Sequence, residues 1–175
     1  YTQFADPGFS DTTIERLCTS ARISNRAFYE CFSGREDLMR AVYERCVEDT
    51  TAAVSRAIHA APDSPEARVE AAIRAYVTFV MADRRRARIM NLEVHRAGDA
   101  VDYVRQQKVS ALAQLIEKAL TGFPGGAPEN AHLVAVGVIG AVQELLLDRM
   151  MSAKPAPIDA VIDTAVNICR KSFTP

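Results

Sequence analysis

The chain has no tryptophan and only three histidines. Its four cysteines (Cys18, Cys31, Cys46 and Cys169) stand far apart, with no CxxC and no Cys/His ligand spacing. Neither a zinc site nor a disulfide framework is indicated, and reduced thiols in a cytoplasm are the expected state. His59, His95 and His132 are scattered. No nucleophile stands at the spacing of a general base, and no glycine-rich loop follows a strand, so the common catalytic layouts lack their residues. Glu93 and His95 are two positions apart and do not share a helical face. No catalytic residue, metal or cofactor is expected. Net charge is −1, so any surface for nucleic acid has to be local. Long apolar runs are scarce too. The most apolar, "LVAVGVIGAV" (residues 133–142), is about half of the roughly 20 residues a membrane span needs, and Gln143 and Glu144 follow it. It reads as a buried helix. The opening residues do not read as a signal peptide.

What the chain does have is helical periodicity from end to end, with no alternating β-branched runs bounded by tight turns. The fold expected is all-α. In "SNRAFYECF" (residues 24–32) Phe28, Cys31 and Phe32 fall on one side of a helix. Arg26 lies almost opposite, flanked by Asn25 and Tyr29, and Ser24 can cap the first turn. Upstream, Ser10 can cap a short helix in which Ile14, Leu17 and Cys18 share a face. "SGRE" (residues 33–36) then matches a capping box and starts a longer helix reaching about Ala60. Two short helices across a tight break, packed on a longer third, make a helix-turn-helix layout.

"APDSPEA" (residues 61–67) is the clearest break, with Ser64 and Pro65 suited to N-cap and first helical position. The arginines of "ADRRRARIM" (residues 82–90) read as a solvated turn between helices. Asp99 can start another helix, with Val101, Val104, Leu112, Leu115 and Ala119 inward, ending at "GFPGGAP" (residues 122–128). A helix over residues 131–151 is apolar on every side in its first half, with Gly137, Gly140 and Ala141 as a small-residue strip. Such a helix needs a second surface to bury. The last helix carries a stripe that includes Ile158, Ile162 and Ala165, and these two helices are expected to pair with a second copy as a four-helix interface. Tyr76, Asn91, His95, Tyr103, Gln107 and Gln143 are polar residues within the middle helices that can line a ligand pocket.

The stretch "GFSDTTIERLCTSARISNRAFYECFSGREDLMRAV", about 35 of the 175 residues, resembles the TetR family of bacterial transcriptional regulators. It has the family's glycine-aromatic pair, threonine-rich helix start, small-residue turn, S-x-x-x-x-Y-x-x-F and a capped start ending in E-D-L. There are departures. Arg22 stands where the family usually has glycine, Arg26 and Ala27 where it has glycine and threonine, and Cys31 where histidine is frequent. "YTQFADP" looks like the tail of a first helix, the rest of which is absent from the sequence.

The resemblance implies a helix-turn-helix DNA-binding domain over residues 1–45 and a helical ligand-binding and dimerisation domain over residues 46–175. It also implies double-stranded DNA, a small-molecule effector and a second copy as partners. The residues supply a physical basis. Asn25 and Arg26, at the N-terminal end of the reading helix, can bond adenine and guanine edges in the major groove. Ser24 and Tyr29 stand beside them, Tyr29 with a hydroxyl for a phosphate. Thr12 and Thr13 sit at another helix start, and Arg35 at a third. Between residues 20 and 35, three arginines stand against one glutamate, a modest patch that suits a dimer. The expected function is a repressor that binds a palindromic operator as a dimer and is released by a small, mostly apolar effector. The competing reading is a helical ligand- or partner-binding protein with a vestigial helix-turn-helix.

Overall fold

The computed structural model describes residues 1–120 and 129–173, and the expected break at residues 122–128 lies outside them. Among the described residues there are helices and no strands: α1 Thr2–Ala5, α2 Ile14–Ala21, α3 Asn25–Cys31, α4 Arg35–Ala60, α5 Pro65–Ala82, α6 Arg84–Asn91, a 3-10 helix Glu93–Arg96, α7 Asp99–Leu120, α8 Ala131–Met151 and α9 Ile158–Phe173. They form two compact units, each built from two segments. Unit 1 comprises residues 1–49 and 83–105; unit 2 comprises residues 50–82 and 106–173. The segment 83–105, which the sequence places after the first domain, folds with the N-terminal helices.

In unit 1 the helix ends have identifiable causes. Thr13, not Ser10, caps α2, its hydroxyl accepting from the Arg16 amide at 3.2 Å. The helix stops at Arg22, whose φ of 57° is left-handed; the Arg22 and Ile23 amides both turn back to the Cys18 carbonyl. The position where Arg22 replaces the glycine usual in the TetR family is thus left-handed, with arginine occupying it. At the start of α4 the carboxylate that reaches back belongs to Asp37 rather than Glu36, and it accepts from both the amide and the hydroxyl of Ser33. That contact and the Arg40 guanidinium hold the Asp37 carboxyl below the usual carboxylate range. The arginine run is not a turn. Asp83 caps α6 by accepting from the Arg85 amide at 2.8 Å, so the arginines open a helix whose inner side buries Ala87, Ile89 and Met90. Phe4, Phe9, Phe28, Met39, Tyr43, Cys46 and Val94 complete the core of this unit.

In unit 2 Ser64 caps α5 as expected, accepting from the Ala67 amide, with Pro65 as the first helical residue. The α9 stripe Val161, Ile162, Ala165, Val166 and Cys169 is buried, and α9 packs on both α5 and α8. On α7 Val101 is buried as expected, and Ala113 is buried in a cluster with Ala135 and Ile139 of α8. Leu112 and Leu115, expected to face inward, are 43% and 63% exposed. By length and composition α8 could cross a membrane. Yet it carries Glu144, Asp148 and Arg149 and buries Ala135, Val138, Ile139, Val142 and Leu146 within its own unit.

Arg22 gives a stability test. A side chain in the left-handed region costs on the order of 1 kcal/mol relative to glycine. Arg22→Gly is expected to raise the unfolding free energy by about that much. Urea denaturation checks it, and an unchanged or lower midpoint contradicts it.

Candidate nucleic-acid interface

Helix α3 has seven residues, about two turns. Ser24 caps it, its hydroxyl accepting from the Ala27 amide at 3.1 Å. Phe28 pins it to the unit and is 2% exposed. Phe32 is half-buried with its ring 5.8 Å from that of Phe28, whereas Cys31, expected on the same buried side, is exposed. The outer face presents Asn25, Arg26, Tyr29 and Glu30, all exposed. The Tyr29 ring stands edge-on against Phe28 at 5.5 Å, which fixes its base while the side chain projects outward.

Arg26 donates from Nε to Glu30 Oε1 at 3.1 Å, with the two side chains 90% and 63% exposed. An exposed i, i+4 pair contributes only a few tenths of a kcal/mol. It orients the arginine without holding it against a stronger acceptor, and the two Nη groups at the tip make the fork that matches guanine O6 and N7. Asn25 and Tyr29 border a shallow depression with Thr13, Ile14, Glu15 and Arg35. Glu15 was not singled out in the sequence. Its own amide and the Thr13 hydroxyl hold its carboxyl below the ordinary value, so it places a negative charge that a phosphate must avoid.

Two of the expected phosphate contacts have partners inside the unit. Thr12 is fully buried, and its hydroxyl donates to the carbonyls of Gln3 at 2.6 Å and Gly8 at 2.7 Å. It braces the loop before α2 and cannot reach DNA. Arg35 Nη1 donates to the Thr12 carbonyl at 2.6 Å and the Phe9 carbonyl at 3.4 Å, with the guanidinium 4.9 Å from the centre of the Phe9 ring. Nη1 of Arg35 is thereby taken up inside the unit, while the half-buried side chain also borders the depression beside Asn25 and Tyr29.

The same loop is held from a second direction, by a residue that sequence reasoning missed. Glu93 is 0% exposed. Its Oε2 accepts from the Phe9 amide at 3.0 Å, and its Oε1 from Arg88 Nη2 at 2.9 Å and Arg96 Nη1 at 3.5 Å. Gly8 has φ +93°, which favours glycine, and a Cβ there would stand 3.2 Å from Oε2, so the carboxylate would have to shift by a few tenths of an ångström. A fully buried carboxylate is tolerated because two guanidiniums and an amide satisfy it; removing partners from such a group typically costs 3–5 kcal/mol.

The expected ligand residues do not all serve one pocket. Tyr76 and Gln143 meet in unit 2, where burial pushes the Tyr76 hydroxyl up to about 12 against a hydrogen bond from Gln143. Asn91 is buried in unit 1 and donates to the Ala87 carbonyl at 2.9 Å, which occupies it structurally. His95 is half exposed, 3.7 Å from Asp102. Its pKa is lowered by burial first and by the Arg105 charge second, with Asp102 opposing both. Tyr103 and Gln107 are exposed. Of the residues assigned to a partner interface, Gly137 and Gly140 are exposed with open space at their Cα atoms, and Ala141 and Ile158 are half-buried. Ile162 and Ala165 are 2% and 0% exposed, taken up by the core of their own unit, and offer nothing to a second copy.

A short capped helix, pinned by one phenylalanine beneath polar tips and following α2 across a left-handed turn, is a helix-turn-helix module of the DNA-binding class. Residues 1–42 match the family described as "Bacterial regulatory proteins, tetR family". The chain is 22% identical over 171 residues to the HTH-type transcriptional activator FasR of Mycolicibacterium smegmatis, covering 93% of this chain and 74% of that protein. Its fold is similar to that of the fatty acid degradation regulator FadR from Bacillus halodurans, with a TM-score of 0.82 and 13% identity over 96% of this chain and 89% of that one. It is also similar to the regulator FadR from Bacillus subtilis in complex with stearoyl-CoA, with a TM-score of 0.78 and 12% identity over 95% and 91% of the two chains. The likeness to the tetR-family regulators thus rests on the family match over residues 1–42 and on a fold shared along the chain with the FadR structures.

The outer face of α3 sets the mutational expectation. Arg26→Ala should weaken operator binding by about 1–3 kcal/mol and relax one base position, whereas Tyr29→Phe should weaken binding to all sequences alike. Competition binding against a panel of single-base operator variants separates the two. Unchanged affinity and preference in Arg26→Ala would remove this helix from the reading role.

Proposed function

We propose that this protein is a ligand-responsive repressor that binds a palindromic operator as a homodimer and releases it when a mostly apolar effector binds. The observation that carries the DNA half is the outer face of α3, where Asn25, Arg26 and Tyr29 project from a helix anchored by Phe28. Thr13 and Ser24 flank that face as the caps of α2 and α3.

The dimer half rests on α8. One side of this helix is buried in its own unit, while Leu133 (67% exposed), Val136 (37%), Gly137 and Gly140 leave the other side open. Exposed leucine beside glycines suits close approach of a symmetry-related helix. With Ile162 and Ala165 withdrawn into the core, the contact we propose centres on Gly137, Gly140 and Ala141. Gly140→Glu puts a charge into that contact and is expected to yield a helical monomer that no longer binds a palindrome. Sedimentation velocity at micromolar concentration checks this, and a monomeric wild type would contradict it.

For the effector we propose a long-chain acyl thioester, held in unit 2. The support is the stearoyl-CoA in the complex of the similar Bacillus subtilis regulator, together with the apolar interior in which Tyr76 and Gln143 pair. Release requires that the effector bind the DNA-incompetent state better than the DNA-bound one. A tenfold to hundredfold loss of operator affinity corresponds to a coupling of about 1.4–2.8 kcal/mol, and operator DNA must weaken effector binding by the same factor. Calorimetric titration of stearoyl-CoA with and without operator tests this. Equal affinities in the two titrations exclude the compound as an inducer, and tighter binding in the presence of operator reverses the sign from repressor to ligand-assisted binder.

A further inference from the structure

We infer that Glu93 is a positioning residue for DNA reading, acting through the loop of residues 8–13 rather than by touching DNA. The inference rests on the DNA-binding reading above. Helix α2 takes its starting point from this loop, since Thr13 is its cap. The loop is short, and each of its ties is visible. Thr12 braces it on Gln3 and Gly8, Arg35 draws in the carbonyls of Phe9 and Thr12, and Phe9 stacks with its ring 5.6 Å from that of Phe4. The Phe9 amide points the other way, onto Glu93 Oε2 at 3.0 Å. That acceptor comes from 84 residues downstream, on the 3-10 helix between α6 and α7. The carboxylate is the one contact among these that ties the loop to segment 83–97 through a charge, and both arginines that balance it, Arg88 and Arg96, belong to the same segment.

A group placed in this way has two separable jobs. Its acceptor oxygen fixes the loop, and its charge fixes Arg88 and Arg96. Glu93→Gln keeps an acceptor of the same reach and gives up the charge. Glu93→Asp keeps the charge and withdraws the oxygen by one methylene. Glu93→Ala removes both. If the oxygen positions α2, and with it α3, the variants should separate by reach and not by charge.

The experiment uses the full chain, with circular dichroism melting as the fold control. Affinity is measured at one salt concentration for an operator duplex and for an unrelated duplex of equal length. Phosphate attraction dominates the second affinity and sequence reading appears only in the first. Glu93→Asp is expected to lower the ratio of operator to unrelated affinity at least fivefold with the unrelated affinity changed less than twofold. Glu93→Gln should keep the ratio within threefold of wild type. Glu93→Ala, where it folds, should lose at least as much as Glu93→Asp; where it does not fold, the Asp and Gln pair decides. A ratio that Glu93→Asp leaves at the wild-type value overturns the inference, as does an equal loss in Asp and Gln. A wild type with no preference for any duplex overturns the DNA-binding reading and this inference with it, a result distinct from the other two.

Discussion

A helix of seven residues is not stable by itself in water, because nucleation costs more than two turns of hydrogen bonds return. Helix α3 therefore exists only as part of unit 1, and much of that unit serves to hold it. Phe28 supplies the apolar anchor, whose burial contributes about 1.5–3 kcal/mol. Ser24 satisfies one amide of the first turn, and the left-handed Arg22 sets the angle at which the chain leaves α2. With those three constraints in place the polar outer face follows, since Asn25, Arg26 and Tyr29 have nowhere to point but outward.

Beneath this sits an unusual amount of polar bracing. A loop before a short helix is an unlikely place to bury a threonine hydroxyl and a carboxylate and to half-bury an arginine, since each loses hydration. Here each loss is offset by bonds to main-chain groups: Thr12 to the carbonyls of Gln3 in α1 and Gly8 in the loop, Arg35 to two loop carbonyls, Glu93 to a loop amide. Apolar side chains alone would bury the loop without fixing its direction. Directional bonds fix the backbone, and a backbone position is what a reading helix has to inherit.

How much of this was legible depended on whether the cause was local. The Ser24 and Ser64 caps, the Phe28 anchor and the α9 stripe are all written within one or two helical turns, and the sequence shows them directly. A threonine before a helix looks the same whether its hydroxyl faces solvent or two carbonyls, so Thr12 was misassigned and Thr13 was not distinguished from it. Arg35 looked like a phosphate contact because nothing in its own helix reveals that Phe9 and Thr12 lie beneath it. The cap made by Asp83 was hidden by the arginines that follow, which drew attention to charge instead of to the helix start. An apolar stripe shows that Ile162 and Ala165 are covered but not by what, and their own unit covers them. Glu93 meets Phe9 across 84 positions, a separation that no periodicity carries.

The central claim is that the exposed face of α3 reads a sequence in DNA. Selection of binding sites from a pool of random duplexes, followed by the salt dependence of binding to the selected site, tests it most directly. The account predicts enrichment of a two-fold symmetric site, with an affinity for it that falls as salt rises yet stays at least about a thousandfold above that for random duplex. No enriched sequence, with the same weak affinity for every duplex, would contradict it.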